Sequence, residues 1–324
     1  MKSLHIISKH ILYNIGGAER STLKYADGLN YNLKILIGFE NNKKQIINSK
    51  NYKIQIINNV LNINRFYFFE YYYNKRKIKR FLNKEKISHV ITYGVYFPLI
   101  INSCRSSLKE LHIRSETDLG IFLNYNSGFK YVIKYCLKIL EWPFEFFYKK
   151  ELRKAILNSD KVVCNSKFMQ NELFKLYGKK SEVVYPSVKI NNDGFKSTKE
   201  GIVFIGDTKI KGITLVKSIA KEMPEHNFFI FSHKTKIIKR IGNIFYYPWE
   251  DNILNVYKRA KLVIVPSMWK EAYGRVARES ILLDIPVLVS EIGGLKEAVD
   301  FDKSKLIKNY SDKNEWINKI RNII

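Results

Sequence analysis

The sequence predicts an α/β protein made of two doubly wound units that face each other across a cleft. Three observations carry this prediction. Short runs rich in Val, Ile and aromatic residues alternate with longer segments of helical period through nearly all of the 324 residues. The alternation lapses over 186–200, where Asn191, Asn192, Asp193, Gly194, Ser197 and Thr198 form a polar stretch typical of a linker. The length itself suits about two domains of ordinary size. A first domain is therefore expected over 1–190, a second over 200–310, and a closing helix over 311–324.

In order along the first domain, strands are expected at 4–8, 33–38, 52–57, 89–93, 111–114, 161–164 and 182–185. Helical patterns lie between them at 19–29, 65–82, 128–158 and 167–177. In the second domain, strands are expected at 202–205, 227–231, 244–246, 262–265 and 287–290, with helices at 213–221, 252–259 and 274–283. The stretch 87–104 carries no Lys, Arg, Asp or Glu and is just long enough to raise a membrane span. His89, Thr92, Gly94, Pro98 and Asn102 break it instead into a strand, a loop and the start of a helix.

Composition sets the outer bounds. With 46% hydrophobic and 27% charged residues the chain is neither disordered nor fibrous. Its 56 Lys+Arg against 30 Asp+Glu give a net charge of +26, which favours anionic partners such as nucleotides, phospholipid headgroups or nucleic acid. Biased codon usage is an equal contender for that excess, because 44 of the cations are Lys in a chain also loaded with Asn and Ile. Cys104, Cys136 and Cys164 lie too far apart for a disulfide framework or a CxxC site, and the six histidines form no zinc-ligand pattern. No metal is expected. The first twelve residues lack a signal-peptide core, so a cytoplasmic protein is expected.

Open α/β sheets take ligands at the carboxyl ends of their strands, where loops run into helix N-termini. Three such turns stand out. Asn14-Ile-Gly-Gly-Ala-Glu19 places Gly16 and Gly17 where backbone N–H groups approach a ligand closely, or else forms an ordinary glycine turn. Gly206-Asp-Thr-Lys-Ile-Lys-Gly212 brings Lys209 and Lys211 ahead of a helix, suited to a diphosphate or simply to water. In Pro266–Glu279, Glu271 precedes a helix that starts near Gly274, and Glu279 sits about a turn and a half inside it. Carboxylates there suit vicinal hydroxyls, and the N–H groups of Gly274, Arg275 and Val276 suit an anion. Acidic residues at a helix start are also favoured by the dipole alone.

Glu271-Ala-Tyr-Gly-Arg-Val-Ala-Arg-Glu279, set between Val265-Pro-Ser267 and Ile285-Pro-Val-Leu-Val289 with Ile292-Gly-Gly-Leu-Lys-Glu-Ala-Val299, resembles the EX7E signature of family 4 retaining glycosyltransferases. The resemblance extends to Gly16-Gly17-Ala18-Glu19, Val163-Cys-Asn-Ser166, Val184-Tyr-Pro186, and Gly206 with Lys211-Gly212. It implies the GT-B fold, a nucleotide-sugar donor held by the second domain, an acceptor held by the first, and retention of anomeric configuration. It further implies that Glu271 contacts the donor sugar, Glu279 the ribose, and Tyr273, Gly274, Arg275 and Val276 the sugar and phosphates. Lys211 would offset charge on the leaving diphosphate, Gly206 and Lys209 would belong to the same phosphate loop, and Gly16 and Gly17 would close over the donor. His112 resembles the histidine that lies against the donor sugar; a satisfied core position is the lesser alternative.

One departure matters. Asp207 stands where the family usually has Arg, leaving Lys209 or Arg275 to replace the missing guanidinium. A UDP-sugar is expected ahead of a GDP-sugar, without a metal cofactor, and a glycan or lipid-linked acceptor in bacterial-type surface polysaccharide or glycolipid synthesis. A GT-B epimerase, a silent subunit on the same scaffold, and a basic nucleic-acid-binding protein are the rival classes; no nucleic-acid-binding motif is present. Asn74–Lys86 holds seven cations and one acid after the aromatic run 66–73, and 130–154 again mixes Lys with Tyr, Trp and Phe. These segments are expected to dock on an anionic membrane surface, at its inner face, unless they are solvated helices with aromatics in the core.

Overall fold

The computed structural model describes residues 3–12, 17–40, 51–61, 67–121, 130–188, 190, 193–250 and 252–324, with the side chains of 130–141 left aside. It divides into two compact units, Met1–Ser187 and Val188–Ile324.

In the first unit the elements run β1 (Ser3–Ile7), α1 (Gly17–Asp27), β2 (Leu33–Phe39), β3 (Lys53–Ile57), α2 (Tyr67–Lys84), β4 (His89–Thr92), α3 (Phe97–Ser103), β5 (Leu108–Ile113), α4 (Lys130–Asn158), β6 (Lys161–Cys164), α5 (Lys167–Tyr177) and β7 (Glu182–Val183). The strands make one parallel sheet in the order β3-β2-β1-β4-β5-β6-β7. β1 and β4 are buried along their whole length, as strands covered on both faces must be. The uncharged stretch 87–104 resolves into β4, a turn through Gly94 and α3, with Pro98 in the first turn of that helix. Asn165-Ser166 of the Val163–Ser166 motif has a local reason: the Ser166 hydroxyl accepts from Met169 N–H and caps α5.

The second unit runs β8 (Gly201–Ile205), α6 (Ile213–Glu222), β9 (Asn227–Ser232), β10 (Lys239–Ile241), β11 (Ile244–Pro248), α7 (Ile253–Tyr257), β12 (Ala260–Val265), α8 (Arg275–Leu282), β13 (Val287–Ser290), α9 (Leu295–Ala298), β14 (Leu306–Ile307) and α10 (Lys313–Arg321). Its sheet has the order β10-β11-β9-β8-β12-β13-β14, parallel except for the β10–β11 hairpin. The closing helix α10 belongs to this unit, where Trp316, Ile317 and Ile320 join the core beneath α6. The polar stretch read as a linker is docked rather than free: Thr198 and Glu200 donate their N–H groups to Lys258 and Arg259 carbonyls, and Phe195 packs on the core.

Two sequence boundaries shift for physical reasons. The strand expected at 111–114 begins at Leu108 and ends at Ile113, because Glu110, buried inside it, finds histidine partners that no periodicity announces. The edge strands β10 and β14 lie outside the expected set; with three and two residues respectively they are too short to show alternation.

Both sheets reverse strand order beside their first strand, between β1 and β4 and between β8 and β12. Such reversal points open a crevice at the carboxyl ends of the strands. The loops after β8 and β12 are therefore the place to look in the second unit.

Candidate active site

Lys209–Lys211 form a single 3-10 turn after β8, and Gly212 then opens α6. The turn is tied to the loop after β12 by the Met268 N–H bond to the Ile210 carbonyl, 2.8 Å. Lys211 Nζ thereby reaches Glu271 Oε1 at 2.8 Å, and the Ser267 hydroxyl donates to the same oxygen. The ammonium also lies 5.8 Å from the Trp269 ring. The two residues assigned separate duties in the sequence thus form one ion pair. Glu271 is only 8% exposed, so this is a held carboxylate rather than a free loop group.

The backbone of that loop is clamped from behind. A Cβ on Gly293 would stand 2.6 Å from the Glu271 carbonyl oxygen, and one on Gly294 would stand 2.3 Å from that of Ala272. The Gly294 N–H donates to the Glu271 carbonyl at 2.7 Å. Only glycines admit this approach, which gives the Ile292-Gly-Gly-Leu295 segment its physical role. Gly274, with φ 115°, then caps α8, and the first turn of the helix is Arg275 and Val276.

Glu279 is buried on α8, where Tyr257 OH donates to Oε2 at 2.9 Å and Arg275 Nη2 lies 3.3 Å from Oε1. Arg275 Nη1 is buried and has no hydrogen-bond partner among the described residues. Tyr273, read as a donor contact, is buried, and its ring packs in the core of the unit. Gly206 follows β8 and bonds through its N–H to the Phe231 carbonyl, while Lys209 is exposed on the 3-10 turn. Asp207 faces Lys234 Nζ at 3.1 Å, a cation from the loop after β9 that the sequence reading missed. Nothing local in sequence brings positions 207 and 234 together; adjacent parallel strands do.

In the first unit, Gly17 opens α1, and Gly16 lies outside the described residues. His112 corrects an expectation. It is fully buried in β5, with Nε2 2.9 Å from Glu110 Oε1, Nδ1 2.6 Å from Arg114 Nη2, and the Tyr25 ring edge-on at 4.8 Å. Guanidinium donates only, so Nδ1 accepts and Nε2 carries the proton to Glu110. Burial and the Arg114 charge push its pKa down to about 4, and the ring is neutral. With both nitrogens engaged, it is a core histidine and does not present itself to a sugar.

Residues 225–324 match the family model described as Glycosyl transferases group 1. An uncharacterized glycosyltransferase of Methanocaldococcus jannaschii is 24% identical over 52% of this chain and 51% of its own length. This chain thus matches about half of that curated relative. Among solved structures, sucrose-phosphate synthase from Thermosynechococcus elongatus superposes with a TM-score of 0.72 at 16% identity, over 100% of this chain and 90% of that one. Anabaena Alr3699/HepE, solved in complex with UDP-glucose, gives 0.65 at 14% identity over 99% and 89%. The fold is that of the GT-B glycosyltransferases. The group 1 match is confined to the last hundred residues, within the second unit. The group 1 segment contains Glu271, Gly274, Arg275 and Glu279, whereas Gly206 and Lys211 precede it on the same sheet. Ser267, Trp269 and Tyr257 complete the constellation; of these, Ser267 and Trp269 lie within the Pro266–Glu279 turn that the sequence already singles out, and Tyr257 does not.

Proposed function

We propose that this chain is a retaining glycosyltransferase that takes a nucleotide-sugar donor, a UDP-sugar ahead of a GDP-sugar, without a metal cofactor. The acceptor is a glycan or a lipid-linked sugar of surface polysaccharide or glycolipid synthesis. The observation that carries this reading is the Lys211–Glu271–Ser267 cluster at the strand-order reversal of the second unit. A diphosphate arriving there competes with Glu271 for the Lys211 ammonium. It also meets the N–H groups of the first turn of α8 and the unused Nη1 of Arg275, which supplies the guanidinium that Asp207 does not. Glu271, released from Lys211 but still held by Ser267, accepts hydroxyls of the donor sugar. Glu279, fixed by Tyr257, accepts those of the ribose.

In this reading the protein orients the reactants and offsets charge on the departing phosphate, which itself draws the acceptor proton. Thermal protection by a panel of sugar nucleotides identifies the donor. Glu271→Gln should then lose transfer by about 10²–10³-fold while still binding the nucleoside diphosphate. Transfer at the wild-type rate in that variant would remove the assignment.

The cellular site proposed is the inner face of a membrane. Among the described residues no helix is long and apolar enough to cross a bilayer. α2 and α4, which pack together, nevertheless expose Tyr67, Phe69, Tyr73, Trp142, Phe146 and Phe147. Phe69 meets Phe144 edge-on at 6.1 Å, Trp142 stacks with Phe146, and Lys150 lies over the Phe146 ring at 4.5 Å. Aromatics interleaved with Lys and Arg suit the headgroup layer of an anionic bilayer.

A further inference from the structure

Glu110 and His112 on β5, and Arg114 just past its end, are spaced two apart and point to one side, each side chain bonded to the next. They form a hydrogen-bonded ladder. Tyr31 OH meets His89 Nδ1 at 2.9 Å, and His89 Nε2 meets Glu110 Oε2 at 3.0 Å. Glu110 Oε1 meets His112, whose other nitrogen takes the Arg114 guanidinium. Burial alone would raise the Glu110 carboxyl, but the hydrogen bonds from His112, His89 and Tyr25 outweigh it and hold the group ionised.

The ladder ends on a cation that is not neutralised by contact. Arg114 is 7% exposed, and its Nε and Nη1 have no hydrogen-bond partner among the described residues. It joins no ion pair with a described carboxylate. Asp118, the nearest in sequence after Glu116, spends its oxygens on the N–H groups of Gly94, Arg114 and Ser115. Leaving donors of a buried charged group unmade costs more than the usual orphan, so an acceptor is owed to this site. Arg114 directly follows β5 at the carboxyl edge of the sheet, one strand from the order reversal beside β1. On the next strand end, Asn165 donates to the Arg114 carbonyl and keeps its own Oδ1 without a partner among the described residues.

We propose that Arg114 binds an oxyanion on the acceptor, a phosphate or a carboxylate of an anionic sugar, with Asn165 Oδ1 accepting a hydroxyl of the same molecule. Glu110, His112 and His89 are positioning residues: the neutral imidazole anchors one arm of the guanidinium and leaves its charge for the ligand. The word acceptor rests on the transferase reading given above; the oxyanion site stands on its own geometry.

The test uses the full chain labelled with ¹⁵N-arginine, in which the Arg114 Nε–H signal is assigned through Arg114→Lys. Inorganic phosphate, glucose 6-phosphate, glucuronate and glucose are titrated in turn, in the Lys211→Ala background to remove the diphosphate site. A saturating shift of the Arg114 signal with phosphate or with either anionic sugar, at least tenfold tighter than with glucose, is the expected result. Glucose 6-phosphate acting alone names a phosphorylated acceptor, and glucuronate acting alone a uronic acid. A signal that none of the anions moves, or that glucose moves equally, overturns the site. Should Arg114→Lys not fold, sequential assignment in the wild type identifies the same signal. UDP titrated into the wild type should move Arg275 and not Arg114. If UDP moves no arginine while phosphate still moves Arg114, the transferase reading fails and the oxyanion site survives.

Discussion

Replacing Glu271 by Gln takes the charge from a carboxylate that is already gathered between Ser267 and Lys211. A loop carboxylate facing water would leave stability untouched. This one is mostly buried, so Glu271→Gln should also lower unfolding stability by about 1–3 kcal/mol, read by calorimetry in the absence of donor. An unchanged melting temperature would mean the ion pair contributes nothing to the resting protein. His112 gives a second residue-scale expectation, in pH. Its folded pKa of about 4 lies below the ordinary 6.5, so between those values the unfolded chain holds a proton that the folded chain does not. Stability therefore rises with pH over that window and is lost on acidification, by up to about 1.4 kcal/mol per pH unit for this one proton. Glu110, held below its ordinary value, extends the loss further into acid. Urea titrations at pH 4.5, 5.5 and 6.5 should show a shallower pH slope in His112→Phe than in the wild type. Equal slopes would mean that His112 is not neutral in the folded chain.

At the scale of the element, the helix period sorts the aromatics of α2 and α4 into two populations. Phe68, Tyr71 and Tyr148 turn inward and are buried, whereas Tyr73 and Trp142 are 64% and 67% exposed. Composition reported an aromatic, basic segment without saying which rings faced out. Because the outward ones make few core contacts, Trp142→Ser with Phe147→Ser should change folding stability by less than about 0.5 kcal/mol per site. The same pair should abolish sedimentation with anionic liposomes at low salt, and raised salt should weaken wild-type binding as it screens the cations. Undiminished sedimentation of the double variant would assign this face to something other than a bilayer. The loop after β12 teaches the converse: its conformation is set by Gly293 and Gly294 of a different segment, so its shape belongs to a pair of elements and not to its own residues.

For the molecule as a whole, each unit owns its core. Leu4, Ile6, Leu36 and Ile91 build one around β1, and Val203, Val263, Phe229 and Trp316 belong to clusters of the other unit. Scanning calorimetry should therefore resolve two transitions, with UDP raising only that of the second unit, by about 2.7 kcal/mol at a concentration one hundred times its Kd. A UDP shift confined to the transition of the first unit would misplace the donor.

The alternation of apolar runs with helical segments determined both sheets, because a strand covered on two faces must be apolar and a helix covering it must be amphipathic. The motif from Glu271 to Glu279 likewise pointed to its loop without any coordinates, since a turn before a helix is a local feature. Three things had to wait for tertiary structure. The pairing of Lys211 with Glu271 spans 60 positions and depends on β8 lying beside β12. The neutral burial of His112 depends on Glu110, a charge that sequence patterning places outside a strand until two histidines are seen to satisfy it. The uncommitted guanidinium of Arg114 is visible only when Glu110 and Asp118 have been followed to their own partners, because a shortage of acceptors is a property of a packed neighbourhood and not of any residue in the chain.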